Sequence, residues 1–378
     1  MFLGPGRSRL FLSIPALVAV SSACDDPPVE AVIDCTIDRD CQDGDLCDGV
    51  ERCRAGRCVE AEPVTCELGD VCLPTGECGS TPAIVPACEA PRAPVLPALP
   101  GGTRLTFDRP VEVGTRAGGL AGEPVTWSAG PSITLPDDGE VTVVARALGG
   151  DATCRFEASY TLVETLPASA DADGADAIAH DDPRVVGWAS GWVEPVAWGA
   201  DNDASAQDPR RALGPAGLDP LDATSLGNGG ALTLVLPWTL GDEPGPEFAI
   251  FENGFSDQFL ELAFVEVSSD GVHFARFDAL ALDLAPVSGY GTLDASRIAG
   301  LAGRYRMGFG TPFDLASLAW HPEVRAGRVD LSAVTLVRVV DIVGDGSQAD
   351  SFGAPIYDPT PTYGTAGFDL DGLAILTR

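Results

Sequence analysis

The stretch LAFVEVSSDGVHFARF, residues 262–277, decides the fold class. Leu262–Val267 is nearly apolar on both faces, the pattern of a central strand covered from both sides. Ser268-Ser269-Asp270-Gly271 follows, and then a second β run, Val272–Phe277. Asp-Gly between two β runs is a strong signal for a two-residue type I′ hairpin. Working outward, Ala231–Leu236 alternates, with Leu232, Leu234 and Leu236 on one face. Glu247–Phe251 is apolar, Val334–Ile342 is a long β-branched run, and Phe368–Leu376 closes the chain. Such short runs between turn signals read as strands of a β-sandwich. Helix is expected only in brief pieces, around Pro209–Leu213, Ser296–Ala302 and Leu315–Trp320.

Composition points the same way. Gly (44) and Pro (31) make about a fifth of the 378 residues, which favours turn-rich β structure over helical bundles. The net charge is −33, and all 23 cations are Arg. Without Lys there is no Lys Schiff base and no P-loop lysine. A polyanionic surface lacks the basic patch that nucleic acid requires, so no nucleic-acid partner is expected. It also repels anionic headgroups, so a membrane tie must be covalent or apolar.

Residues 1–23 read as a signal peptide. Arg7 and Arg9 precede the apolar run LFLSIPALVAV (10–20), which is too short to span a bilayer. Ser21, Ser22 and Ala23 lead to Cys24, which resembles the lipidation site of bacterial lipoproteins. Ser21 stands where an aliphatic residue is usual, and ordinary cleavage after Ala23 is the alternative. Residues 24–34 would then be the linker to a lipid anchor.

Residues 35–80 form a Cys-rich module with few apolar side chains, which needs covalent staples to fold. Its eight cysteines are Cys35, Cys41, Cys47, Cys53, Cys58, Cys66, Cys72 and Cys78. They read as disulfides of undetermined connectivity; zinc is disfavoured by the long gaps and by the absence of His. The module resembles short Cys-rich repeats of secreted bacterial proteins, and it implies a stalk. Residues 81–164 read as a small Ig-like β-sandwich bridged by Cys88 and Cys154, a spacer that holds the C-terminal part away from the membrane. Residues 165–179, TLPASADADGADAIA, read as a linker.

Residues 180–378 carry the strongest resemblance. The hairpin 265–277 and the run VTLVRVVDI (334–342) resemble those of discoidin-type, galactose-binding-like jelly rolls. The set ALGPAG (212–217), SLGNGGALTL (225–234), PGPEFAIFENGF (244–255), GLAGRYRMGFGTPFDLASL (300–318), PIYDPTPT (355–362) and GFDLDGLAI (367–375) is similar to a family of exported bacterial cell-surface proteins. The resemblance implies a jelly-roll β-sandwich at the cell surface and carries no chemistry of its own. The expected fold is therefore mainly β: a C-terminal jelly roll, a small Ig-like sandwich and a disulfide-rich stalk.

The three histidines, His180, His273 and His321, stand apart from any nucleophile motif, and no zinc-protease pattern is present. Acids beside the β runs stand out instead: Glu252, Asn253, Asp341, Asp345, Asp369 and Asp371, with Asp350 and Asp358 nearby. Gathered at one sandwich end they suit calcium, the candidate cofactor. As turn caps they need no ion. Trp188, Trp192, Tyr290, Arg304, Tyr305 and Trp320 are the candidate ligand contacts, since rings stack on sugars and Arg binds carboxylates. The leading expectation is an exported, lipid-anchored surface protein that binds a ligand such as a glycan and has no catalytic residues. The alternatives are a structural envelope or adhesion protein with protein partners only, and a carboxylate-dependent glycoside hydrolase.

Overall fold

The computed structural model describes residues 90–118, 124, 126–150, 154–219 and 221–377, together with four short strands nearer the N-terminus. The chain divides into two compact units, Met1–Val85 and Pro86–Arg378. The signal segment, Cys24 and most of the Cys-rich module lie outside the described residues, as does Cys88.

In the first unit β1 (Arg52–Arg54) pairs with β2 (Arg57–Val59), which sets Cys53 opposite Cys58. β3 (Asp70–Cys72) pairs with β4 (Cys78–Ser80), with Cys72 opposite Cys78. Cys53 and, in the second unit, Cys154 are disulfide-bonded.

The second unit opens with β5 (Ala98–Pro100), β6 (Arg104–Ala117), β7 (Ser128–Thr134), β8 (Gly139–Ala147) and β9 (Arg155–Val163). They form one five-stranded sheet in the order β5-β9-β8-β6-β7. β9 alternates as its sequence dictates, burying Phe156, Ala158, Tyr160 and Leu162. This core is not self-contained: Leu280 and Ala299 from the C-terminal part are buried in it, and Trp320 and Phe352 pack on it. The expected free-standing spacer is thus joined to the next layer. The stretch 165–179 is held too. Arg304 donates to the Asp176 carboxylate at 3.2 Å and to the Pro167 carbonyl at 3.0 Å, and Leu166 is buried.

The remaining strands are β10 (Ile178–Ala179), β11 (Val185–Trp188), β12 (Gly191–Trp192), β13 (Thr224–Ser225), β14 (Ala231–Leu240), β15 (Phe248–Glu252) and β16 (Ala263–Ser268). After them come β17 (Ala275–Arg276), β18 (Leu280–Ala281), β19 (Ile298–Ala299), β20 (Phe309–Phe313), β21 (Val334–Asp341), β22 (Asp345–Ala349), β23 (Pro355–Tyr357) and β24 (Asp369–Leu376). One sheet runs β10-β20-β15-β24-β11, with β13 also on β24; the other runs β12-β14-β21-β16-β17. Their facing side chains make one core. Leu232, Leu234, Val265, Val267, Val337 and Val339 come from one sheet, and Phe248, Ile250, Leu373 and Ile375 from the other. β16 is buried at every position, and its one acid, Glu266, is held by Arg276 at 2.6 Å and by Arg338. The outer face of β16 is covered by residues of the long 277–334 segment, among them Leu293, Ile298 and Leu301 around Phe264.

The hairpin after β16 differs from the expected two-residue turn. Pairing resumes only at Ala275, opposite Val267. In between, the Asp270 carboxylate accepts the amides of Val272 and His273, each at 2.8 Å. Asp270 thus closes a wider loop through its side chain, the other use of Asp at turns. Brief 3-10 turns occupy Pro209–Ala212, Ala295–Arg297 and Leu315–Leu318. Among the described residues no helix is long and apolar enough to cross a membrane.

Candidate functional site

Strand register gathers acids at one end of the sandwich. Glu252 ends β15 opposite Leu370, so it stands beside the start of β24, which carries Asp369 and Asp371. In the other sheet Asp341 ends β21 opposite Ala263, two residues after Glu261. Asp358 joins them by accepting the Leu262 amide at 2.5 Å. All six acids are buried, Glu252 and Asp341 to 1% exposure. Among the described residues no Arg forms an ion pair with any of them. Burial pushes the Asp341 carboxyl up to about 6 and those of Asp369 and Asp371 to about 7. Burial first, and then the facing acids, raise Glu252 and Glu261 well above the usual range; burial and Asp341 do the same to Asp358.

The six do not serve alike. Asp341 spends both oxygens on backbone, accepting Phe368 N and Gly229 N at 2.6 Å each. Gly367 permits that approach: its φ is +67°, and a Cβ there would stand 2.6 Å from Asp341 Oδ1. Asp371 accepts the Gly217 amide at 3.0 Å. These two carboxylates clamp loops, the turn chemistry that competes with the metal reading. Asp345 is exposed at the start of β22 and accepts the Ser347 amide, so it does not join the group. Within this acid group two buried oxygens are left without a hydrogen bond, Glu252 Oε2 and Asp369 Oδ1. Asn253, 4% exposed, bonds Asp369 through its side chain. Sequence reasoning misses Glu261; its place two residues before a buried strand is the available signal.

The loop 253–262, which joins Glu252 to β16, also builds a surface. Phe255 is 67% exposed and Tyr290 88%. Phe259 lies between them, with ring centroids 5.9 Å from Phe255 and 6.4 Å, nearly parallel, from Tyr290. The same loop gives Asp257 and Gln258 to a cleft of about 710 Å³, lined also by Asp283, Leu284, Asp294 and Arg297; the three rings are not in its lining. Its acids are engaged. Arg297 binds Asp283 at 2.5 Å, Arg306 binds Asp257 at 3.3 Å, and Asp294 accepts Ser296 N at 3.0 Å.

Of the expected ligand contacts, Tyr290 alone belongs to a segment that lines the cleft, between Val287 and Thr292. Arg304 and Tyr305 are 4% and 1% exposed, and Tyr305 donates its hydroxyl to Asp176. Both are internal anchors, because an aromatic and a cation that bind an adjacent segment are covered by it. Trp320 packs on Phe156 at 5.1 Å and donates to the Glu157 carbonyl at 3.0 Å. Trp188 packs on Phe251 at 5.4 Å, and Trp192 donates to Glu194 at 2.7 Å on the opposite sheet. Neither lies at the cleft. Phe255 and Phe259 are absent from the sequence-based candidates; two aromatics four apart in a turn-rich loop are the signal that could have found them.

At the far end of β15, Asp242, Glu247 and Asp314 form the one acidic trio among the described residues whose ligand atoms all lie within 4.8 Å of one another.

The class defined so far is a β-sandwich protein with buried acids at one end, a cleft, and an exposed aromatic run on a neighbouring loop. No family model matches the chain, and no curated protein matches it. Among solved structures it is similar to a SusE-like protein at 11% identity and TM-score 0.22, over 78% of this chain and 98% of that one. It is also similar to a structure titled for the promiscuous specificity of carbohydrate-binding modules from the β-sandwich superfamily. That match has 9% identity and TM-score 0.14, over 76% of this chain and 92% of the other. At TM-scores this low neither likeness says how this chain works.

Proposed function

We propose that the chain is an exported, envelope-anchored protein whose C-terminal β-sandwich binds glycan at the cleft without turning it over. One observation supports this above the others: the stacked rings Phe255, Phe259 and Tyr290, two of them exposed, belong to the same chain segments that line a cleft through Asp257, Gln258, Val287 and Thr292. Exposed aromatic faces stack on the apolar faces of sugar rings, and convergent carboxylate, amide and guanidinium groups take the hydroxyls. The cleft acids are held by Arg or by turn amides, an arrangement that favours binding over acid–base work. Export and anchoring rest on the signal-like start, Cys24 and the cysteine count.

A glycan array probed with the full chain tests the reading. Binding to at least one glycan class is expected, and Tyr290→Ala should weaken it about tenfold, the worth of one good stacking contact. A folded chain that ignores every glycan, or Tyr290→Ala binding at full strength, would overturn it. Turnover of a bound glycan would restore the hydrolase alternative.

A further inference from the structure

We propose that Glu252, Glu261 and Asp369, with the Phe259 carbonyl, form a calcium site, and that the cation fixes the 253–262 loop, which carries Phe255 and Phe259. Buried charges in proteins are paired or coordinate a metal. Among the described residues these carboxylates are buried with no Arg ion-paired to them, and an unpaired charge is costly to take out of water. Asp341, Asp358 and Asp371 have backbone partners, and Glu252 also has the Gly254 amide. Even so, the Glu252 Oε2 and Asp369 Oδ1 oxygens have no hydrogen bond, and an orphan buried acceptor is rare enough to call for an ion or a proton.

A backbone oxygen converges on the same place. A Cβ at Gly254 would stand 2.6 Å from Glu252 Oε2 and 2.9 Å from the Phe259 carbonyl oxygen. The lack of a side chain at Gly254 is what lets the Glu252 carboxylate and the Phe259 carbonyl pack closely on one side of its Cα, so two oxygens converge there. The donors are all oxygen, with neither His nor Cys, which selects a hard cation. Magnesium demands near-octahedral geometry and keeps its waters, whereas calcium accepts irregular sets of carboxylates and carbonyls. The three carboxylates do not lie within 4.8 Å of one another, so binding must draw them together. Glu252 and Glu261 stand at the two ends of the 253–262 loop, with Phe255, Asp257, Gln258 and Phe259 between them. A cation held by both ends shortens the loop's freedom and sets the ring run. The cation site stands without the glycan reading; only its effect on glycan binding rests on that reading.

The test strips the full chain with chelator and titrates it with calcium chloride alone, read by calorimetry and by hydrogen exchange. Saturable binding is expected, with new protection across 253–262. Glu252→Gln and Asp369→Asn should each weaken calcium at least about tenfold, while Asp242→Asn, at the opposite end, should not. The absence of saturable binding at millimolar calcium would overturn the site. So would protection confined to 242–247 and 314–318, or loss of binding in Asp242→Asn with Glu252→Gln intact. If the cage variants fail to fold, the exchange map of the native chain decides alone. Calcium binding that leaves glycan retention unchanged keeps the site and removes the coupling. Glycan loss in Tyr290→Ala with calcium affinity intact separates the two proposals.

Discussion

Glu247 shows what burial does to a single carboxyl group. It is 6% exposed, and its two oxygens accept the amides of Glu243 and Leu315, both at 2.8 Å. Desolvation still outweighs those bonds and pushes the group up to about 7. A carboxyl whose folded pKa lies above its unfolded value binds more protons when folded. Its stability contribution is complete below about pH 4.5 and is lost as pH rises to about 7. The loss is on the order of 3 kcal/mol at most. His321 works in the opposite sense. Its Nδ1 accepts the Glu323 amide at 3.2 Å, and burial lowers its pKa to about 4. It therefore costs stability as pH falls from 6.5 towards 4. Only a paired comparison isolates Glu247. Urea unfolding of the native chain and of Glu247→Gln, from pH 4 to 8, should show the variant gaining relative stability as pH rises; a pH-independent difference would contradict the assignment.

At the scale of elements, the stretch 165–179 looks like a linker by composition and behaves as a strap by contact. Asp176 is bound by Arg304 and Tyr305, Asp171 by Arg306 at 2.7 Å, and Ile178 pairs with Gly310. None of these partners is near in sequence, so no local pattern announces them. Tyr305→Phe removes one hydrogen bond from the strap and should cost about 1 kcal/mol. Limited proteolysis is the sensitive readout: cleavage within 165–179 should accelerate severalfold while cleavage elsewhere is unchanged. Equal rates for variant and native chain would mean that the strap is held by other contacts.

At the scale of the molecule, the sheet β5–β9 and the C-terminal sandwich share one core. Asp278 accepts Arg92 at 2.8 Å and the Val95 amide at 2.9 Å, and Trp320 stands against Phe156. Scanning calorimetry of the native residues Pro86–Arg378 should give a single cooperative transition, the behaviour of one body. Trp320→Ala should cost about 3 kcal/mol, the low end for a Trp truncation because the ring is half-buried, and split that transition, with the β5–β9 sheet melting first. A variant that still melts in one step would show that Leu280, Ala299 and the Asp278 contacts suffice. The coupling also bears on experiments: a fragment starting at residue 180 would expose Leu280, Ala299 and Trp320 to water.

The sequence by itself determined the β class, because strand periodicity is a local property. Leu232/Leu234/Leu236, the all-buried β16 and the β24 run are legible from alternation and from β-branched content alone. It also brought Glu252, Asp341, Asp369 and Asp371 to notice, since each sits at or near a strand end or on the last strand. What it left open was which of them would be used, because hydrogen-bond partners come from elsewhere in the chain. Asp341 is spent on Gly229 and Phe368, and Glu252 is left over, a distinction that only register and loop closure make. The aromatic candidates divided for the same reason. Tyr290 and Tyr305 are alike as residues in one long segment, yet one faces water and the other is covered by a strap more than a hundred residues earlier. Burial depends on what folds over a side chain, and only tertiary structure decides that.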